Sequence, residues 1–355
     1  DSELFLHLIA RSRQPTQLEQ IREALRIAQG AYSLVLLTDT ALIAARDPHG
    51  FRPLAIGRLW GHDGQCTYVV ASETCAFDLI GAEYVRDVKH NEIVVIDQDT
   101  IRTGEVKSFS ILEQTPEARH CIFEFIYFSR PDSSIFGHSV DKVRRKLGKS
   151  LAEESPVPSD GEEPVVVISV PDSGNTAAVG YAQSNAAQGI PTRFDIGLIR
   201  SHYVGRTFIA PEQNQRELKV KTKFNTVRGV LRGKKVVVVD DSIVRGTTSR
   251  ALVQLIRQAG PREVHLRITS PPIRYPCKYG MDFPHRDELI ANHYATEEEI
   301  GAALGADSLR YLSLDKLLLS VPHSPGIGYC TACFTGEYPV PVEPELDKHV
   351  TEEEP

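Results

Sequence analysis

The sequence predicts two domains of different class: an α+β unit over residues 1–115 and an α/β unit with a parallel sheet over 116–340, with an acidic tail at 341–355. Three observations carry that reading. At ~150 residues per domain, 355 residues exceed a single unit. The first third holds short apolar runs set apart by closely spaced turn signals, as antiparallel strands require. After about residue 115 the pattern changes to valine-rich runs alternating with helical stripes, the β-α-β order of a parallel sheet. Composition narrows the function. Lys+Arg 40 against Asp+Glu 47 gives a net charge of −7, so a non-specific nucleic-acid binder, which needs a basic surface, is not expected. No apolar run approaches the ~18 residues of a membrane span.

The elements follow in order. Residues 1–10 read as the inside of a helix, with Glu3 favouring its N-terminus. The chain therefore looks like a piece whose beginning lies upstream of Asp1. Leu18, Ile21, Leu25 and Ala28 form a helical stripe over 17–29. Short strands are expected at 31–37, 41–45, 54–56, 68–71 and 92–96. The apolar run after Cys121 reads as strand-like. Residues 139–154 read as a helix, 155–164 as a polar loop, and 165–170 as a buried strand. A helix follows over 173–187, a second buried strand over 234–240, a helix over 247–259 closed by Gly260 and Pro261, and a strand over 263–269.

The string VVVVDDSIVRGTT at 236–248 is the most informative segment. A buried strand ends in Asp240 and Asp241, then a turn with Gly246 leads to hydroxyls at a helix start. Free N–H groups and the helix dipole attract a phosphate at that point. Gly246 permits close backbone approach, and Ser242, Thr247 and Thr248 add donors. Acids at the carboxyl end of a strand sit where open α/β sheets bind ligands. An acid pair beside a phosphate cradle suits ribose hydroxyls or a Mg2+ bridging pyrophosphate oxygens. A second small polar loop, PDSGNT at 171–176, suits pyrophosphate and metal. A third segment, over 203–223, is long and basic and reads as a lid over an anionic substrate.

The string at 236–248 matches the phosphoribosyl-pyrophosphate (PRPP) signature of type I phosphoribosyltransferases. With RDPHGFRP at 46–53, ASETCA at 71–76, EFIYFSRPDS at 124–133 and YVGRTFI at 203–209, the chain resembles the glutamine PRPP amidotransferases nearly end to end. That resemblance implies a partial N-terminal-nucleophile glutaminase domain followed by a type I phosphoribosyltransferase domain. It implies formation of 5-phosphoribosylamine from PRPP and glutamine-derived ammonia, the first step of purine synthesis. Asp240 and Asp241 would serve PRPP and its Mg2+, with Ser173 as a further metal ligand. Ser242, Arg245, Gly246, Thr247 and Thr248 would hold the 5′-phosphate. Asp1 resembles the family's aspartate for the glutamine amino group. The family's nucleophile is an N-terminal cysteine, so a chain starting at Asp1 is expected not to hydrolyse glutamine. Purine nucleotides as feedback inhibitors and a homo-oligomer are implied in the same way. A PRPP-sensing regulator and a salvage transferase acting on a free base are the competing readings.

Six cysteines are too few for a disulfide scaffold, and no signal-peptide pattern opens the chain, so a reducing cytoplasm is expected. Cys66 reads as turn and Cys75 as a helix start, both structural. The Cys330/Cys333 pair has chelating spacing; from spacing alone it fits zinc or a redox pair. The family's iron-sulfur subgroup has cysteines in the contexts of CKYGMD at 277–282 and CTACFTG at 330–336. The resemblance therefore implies a [4Fe–4S] cluster on Cys121, Cys277, Cys330 and Cys333.

Overall fold

The structure, a computed structural model, describes residues 2–61, 64–157, 159, 161, 163–201, 223–283 and 285–341. Asp1, the expected lid at 203–223 apart from Lys223, and the tail at 341–355 apart from residue 341 lie outside the described residues.

The chain opens with α1 (Ser2–Arg11) and α2 (Gln17–Ile27). Thr16 caps α2 by accepting from the Glu19 N–H, leaving Ile21 and Leu25 on the buried face. Strands β1 (Ser33–Leu37), β2 (Ala41–Arg46), β3 (Ala55–Trp60) and β4 (Cys66–Ala71) follow, then α3 (Cys75–Ile80). After it come β5 (Glu83–Asp87), β6 (Glu92–Asp97), α4 (Gln98–Thr103) and β7 (Lys107–Ser110). They form two antiparallel sheets, ordered β1-β2-β6-β7 and β4-β3-β5. Side-chain alternation along β2 stacks the layers: Ile43 and Ala45 pack towards α2, while Ala44 joins Leu54 and Ile56 of the second sheet. Cys66 opens β4 opposite Trp60 and is not in a turn, whereas Cys75 begins α3 as expected.

The next elements are β8 (Ala118–Cys121), the hairpin β9 (Ser134–Ile135) and β10 (His138–Ser139), and α5 (Val140–Glu154). Then come β11 (Val165–Ser169), α6 (Asn175–Ala187), β12 (Thr192–Phe194), β13 (Leu198–Arg200) and β14 (Phe224–Thr226). The sheet is completed by β15 (Lys235–Asp240), β16 (Glu263–Ile268) and β17 (Ser308–Tyr311), with β18 (Ile327–Cys330) beyond it. The five-stranded sheet runs β12-β11-β15-β16-β17, every pair parallel. Its central strands β11, β15 and β16 are buried on both faces. Val237 and Val239 pack with Leu147 and Tyr181 of α5 and α6, while Val236 and Val238 pack with Leu252 and Ile256 of the helix Thr247–Gln258. This is why the valine runs are continuous rather than alternating. The chain steps outward from β11 to β12, then returns to lay β15 on the other side of β11. The gap between the carboxyl ends of β11 and β15 is thus the topological switch point of the sheet.

The apolar run after Cys121 is not a strand: Glu124–Phe128 is a π-helical turn. The Ser129 N–H closes it onto the Glu124 carbonyl at 3.2 Å, and the Ser129 hydroxyl donates to the Glu124 carboxylate at 2.6 Å. Tertiary pairing of Glu124 overrides the local β preference.

Candidate active site

The switch point opens into a cavity of ≈ 500 Å³. Val170 and Ser173 line it from the loop after β11; the run from Asp240 to Ser249 lines it from the end of β15. All the substrate residues expected within the described chain therefore converge there: Asp240, Asp241, Ser242, Arg245, Gly246, Thr247, Thr248 and Ser173. The acids are organised by their own hydrogen bonds. The Asp241 N–H donates to the Asp240 carboxylate at 2.9 Å. The Asp241 carboxylate accepts from Ser173 Oγ at 2.5 Å and Ser242 Oγ at 2.6 Å. Burial and the adjacent Asp241 hold the Asp240 carboxyl well above the usual carboxylate range. Gly246 enters the helix Thr247–Gln258 with φ +75, a left-handed turn natural to glycine. At the rim Arg245 pairs with Glu288 at 2.8 Å, and Arg200 pairs with Asp172 of the second loop at 2.7 Å. Hard oxygen donors on two carboxylates and a hydroxyl, open to a large cavity, suit Mg2+, which binds through one or two carboxylates plus substrate phosphates.

A second cavity, of ≈ 400 Å³, lies in the first half against the second half. The loop at 46–53 builds it. The Asp47 carboxylate accepts N–H bonds from Tyr32, His49 and Phe51, and burial pushes this carboxyl up to about 6. The buried Arg46 guanidinium donates to the carbonyls of Gly50, Arg52 and Val88. Arg52 is thereby aimed at Glu124, 2.8 Å away, and lies over the Phe128 ring at 4.6 Å. Phe128 lines both large cavities. Arg52, Glu124 and Phe128 lie in sequence motifs that by themselves assign them no role. Arg52 and Glu124 stand 72 positions apart, and only the fold brings them together.

The four cysteines expected as a set also converge. Cys121 of β8 and Cys330 of β18 are register partners. Cys333 follows in the helix Ala332–Thr335, and its carbonyl accepts from the Arg274 and Tyr275 N–H groups. That bond draws in the segment carrying Cys277. All four line one small cavity of ≈ 20 Å³ with Phe51, Phe123, Tyr279 and Met281. Burial, reinforced by the neighbouring thiols, pushes Cys121 up to about 12, Cys330 to about 11, and Cys333 also upward. Among the described residues, no group of three or more His, Cys, Asp or Glu has the geometry to hold a metal ion. No disulfide joins the six cysteines. No helix among the described residues is long and apolar enough to cross a membrane.

Comparison with known proteins agrees with the geometry. A family model described as the phosphoribosyl transferase domain matches residues 137–270. The chain is 51% identical over 345 residues to the chloroplastic amidophosphoribosyltransferase of Glycine max, covering 97% of this chain and 56% of that protein. It is 47% identical over 345 residues to the amidophosphoribosyltransferase of Bacillus subtilis, covering 96% of this chain and 68% of that one. It spans little more than half the length of its plant relatives. A solved structure of glutamine PRPP amidotransferase from B. subtilis, complexed with ADP and GMP, superposes with a TM-score of 0.84 at 46% identity, covering 98% of this chain and 72% of that one. The fold, the cavity at the switch point and these relatives together place the chain in the amidophosphoribosyltransferase family.

Proposed function

We propose that the chain carries the phosphoribosyl-transfer site of an amidophosphoribosyltransferase, making 5-phosphoribosylamine from PRPP and glutamine-derived ammonia. The observation that supports this most is that the Asp240–Asp241 pair at the end of β15 and the helix entrance at Gly246 line one cavity of ≈ 500 Å³. Residues 242–248 take the 5′-phosphate on the free N–H groups and hydroxyls of the helix start. Asp240, Asp241 and Ser173 would hold Mg2+, which supplies charge to stabilise the leaving pyrophosphate. The carboxylates orient the ribose so that C1 faces the incoming ammonia, and Tyr127 and Phe128 wall that side against water. Ammonia reaches C1 from the ≈ 400 Å³ cavity past Phe128, the wall common to both.

The remaining assignments belong to the same proposal. The first unit ends near residue 115, where antiparallel sheets give way to β8 and the transferase elements. Cys121, Cys277, Cys330 and Cys333 would hold a [4Fe–4S] cluster tying β8 to the C-terminal segment, a structural role. Four thiols around one apolar cavity are the right donor set. Purine nucleotides act as feedback inhibitors, as the nucleotides bound in the B. subtilis relative suggest. The protein works as a homo-oligomer in the cytoplasm.

The test is ammonia-dependent, PRPP-consuming formation of phosphoribosylamine by the full chain. Activity is expected in the wild type, with a loss of about 100-fold or more on combining Asp240→Asn with Asp241→Asn. Equal turnover by the double variant would remove the acid pair from the site.

A further inference from the structure

The four-cysteine cavity, at ≈ 20 Å³, has room for about one water. Cys121 and Cys277 are partly exposed, whereas Cys330 and Cys333 are buried, so a larger solute reaches the deeper sulfurs only when a wall moves aside. The walls differ in how firmly they are packed. Phe123 and Met281 separate the cavity from the transferase site, and Tyr279 separates it from the ≈ 400 Å³ cavity. All three are buried, and Tyr279 is stacked on Phe51 at 4.5 Å.

Tyr338 is held differently. One side faces the cysteines. The other faces a surface cavity of ≈ 350 Å³ formed with His49, Glu117 and Arg119. Tyr338 is only half-buried. Its ring meets Tyr279 edge-on at 5.9 Å, and its hydroxyl donates to the Pro276 carbonyl at 2.6 Å, one residue before Cys277. It stands on the short stretch after Gly336, where a left-handed turn (φ +80) ends the helix Ala332–Thr335. Further on the stretch is anchored at Val340, whose N–H donates to the Tyr279 hydroxyl at 2.9 Å and whose carbonyl accepts from that hydroxyl at 2.7 Å, so the movement that parts the ring from Pro276 is a rotation between Gly336 and Val340 that breaks the edge contact with Tyr279 and moves no sheet.

We infer that Tyr338 is the door through which small solutes pass between the surface cavity and the four cysteine thiols. In loading, the solutes are inorganic iron and sulfide. The inference deepens the metal-centre reading above, but the door itself is defined by thiol access, whether or not the sulfurs hold a metal.

The experiment treats the full chain, reduced and metal-free, with iodoacetamide; each thiolate forms an S–C bond and releases iodide. Rates are read cysteine by cysteine by mass spectrometry. Cys66 and Cys75, outside the cavity, are internal references. Tyr338→Ala is expected to speed the four cavity cysteines by about tenfold or more and to leave Cys66 and Cys75 unchanged. Tyr338→Phe, which keeps the ring and loses the bond to Pro276, is expected to give a smaller rise at the same four. Unchanged rates in Tyr338→Ala overturn the inference. So does an equal rise in Lys278→Ala, which would put the door at the exposed Lys278 wall. If Tyr338→Ala also speeds the reference cysteines, the fold has loosened and Tyr338→Phe decides: a rise confined to the four supports the door, and no rise overturns it. A parallel arm reconstitutes the protein with iron and sulfide and follows iron release to a chelator, expected to be faster in Tyr338→Ala. A chain that takes up no iron yet shows the alkylation pattern keeps the door and loses the cluster.

Discussion

At Gly246 the backbone turns with φ +75, and a Cβ placed there would press on the Ile290 side chain. Left-handed strain and the contact add, so Gly246→Ala is expected to destabilise the protein by about 1–3 kcal/mol, read as a drop in denaturant midpoint, and to weaken PRPP binding. An unchanged midpoint would show that this turn adapts, and that the glycine is not what shapes the helix entrance. Residues of this kind were legible in the sequence because their geometry is local: strand, acid pair, turn and helix start all fall within 236–248. The small polar loop that carries Ser173 is legible for the same reason, while Ser173 itself is singled out only by the resemblance. Its 2.5 Å bond to Asp241 was not, because that pairing depends on β11 and β15 being neighbours. Arg52 and Glu124 show the same limit more sharply. Each lies in a readable motif, but no local pattern says that the two meet.

At the scale of elements, the valine runs and helical stripes of the second half were read correctly because burial on both sheet faces leaves a continuous apolar signature. Edge strands β5 and β7, largely exposed, carry no such signature and were missed. The stretch after Cys121 was misread because its apolar residues pack as a turn held by Glu124. Packing between α5 and α6 yields a sharp prediction. A Cβ at Gly148 would collide with the Ala177 carbonyl of the facing helix, so Gly148→Ala is expected to cost about 1–3 kcal/mol. A denaturant midpoint within error of wild type would contradict that close approach. The sheet also carries an acid-sensitive group. His265 on β16 is buried, with Ser308 Oγ and the Glu263 carboxylate on its ring nitrogens. Burial lowers its pKa, against the pull of Glu263 and Asp307 and with the push of Arg267. The unfolded chain therefore takes the proton more readily, and stability falls as pH drops below about 6.5. Between about pH 7 and pH 5, His265→Gln is expected to lose less stability than wild type. Parallel curves for the two proteins would remove His265 from the acid response.

At the scale of the whole molecule, the two halves are joined through the loop at 46–53. Arg119 and Cys121 of β8 donate backbone N–H bonds to the carbonyls of His49 and Phe51. Arg52 and Glu124 bridge the same junction, and Phe51 packs against Tyr279 beside the cysteines. The cysteine centre therefore sits where the first half, β8 and the C-terminal segment meet. Spacing alone leaves zinc and redox readings open, and the cluster rests on the resemblance, because four thiols from three distant segments reveal their common cavity only once the chain is folded. The transferase cavity is the feature on which the rest of the account depends. Its most direct test is a calorimetric titration of the full chain with PRPP in the presence of Mg2+. Saturable heat is expected for the wild type and is expected to vanish when Asp240→Asn and Asp241→Asn are combined. A wild-type chain that folds but gives no saturable heat would contradict the account.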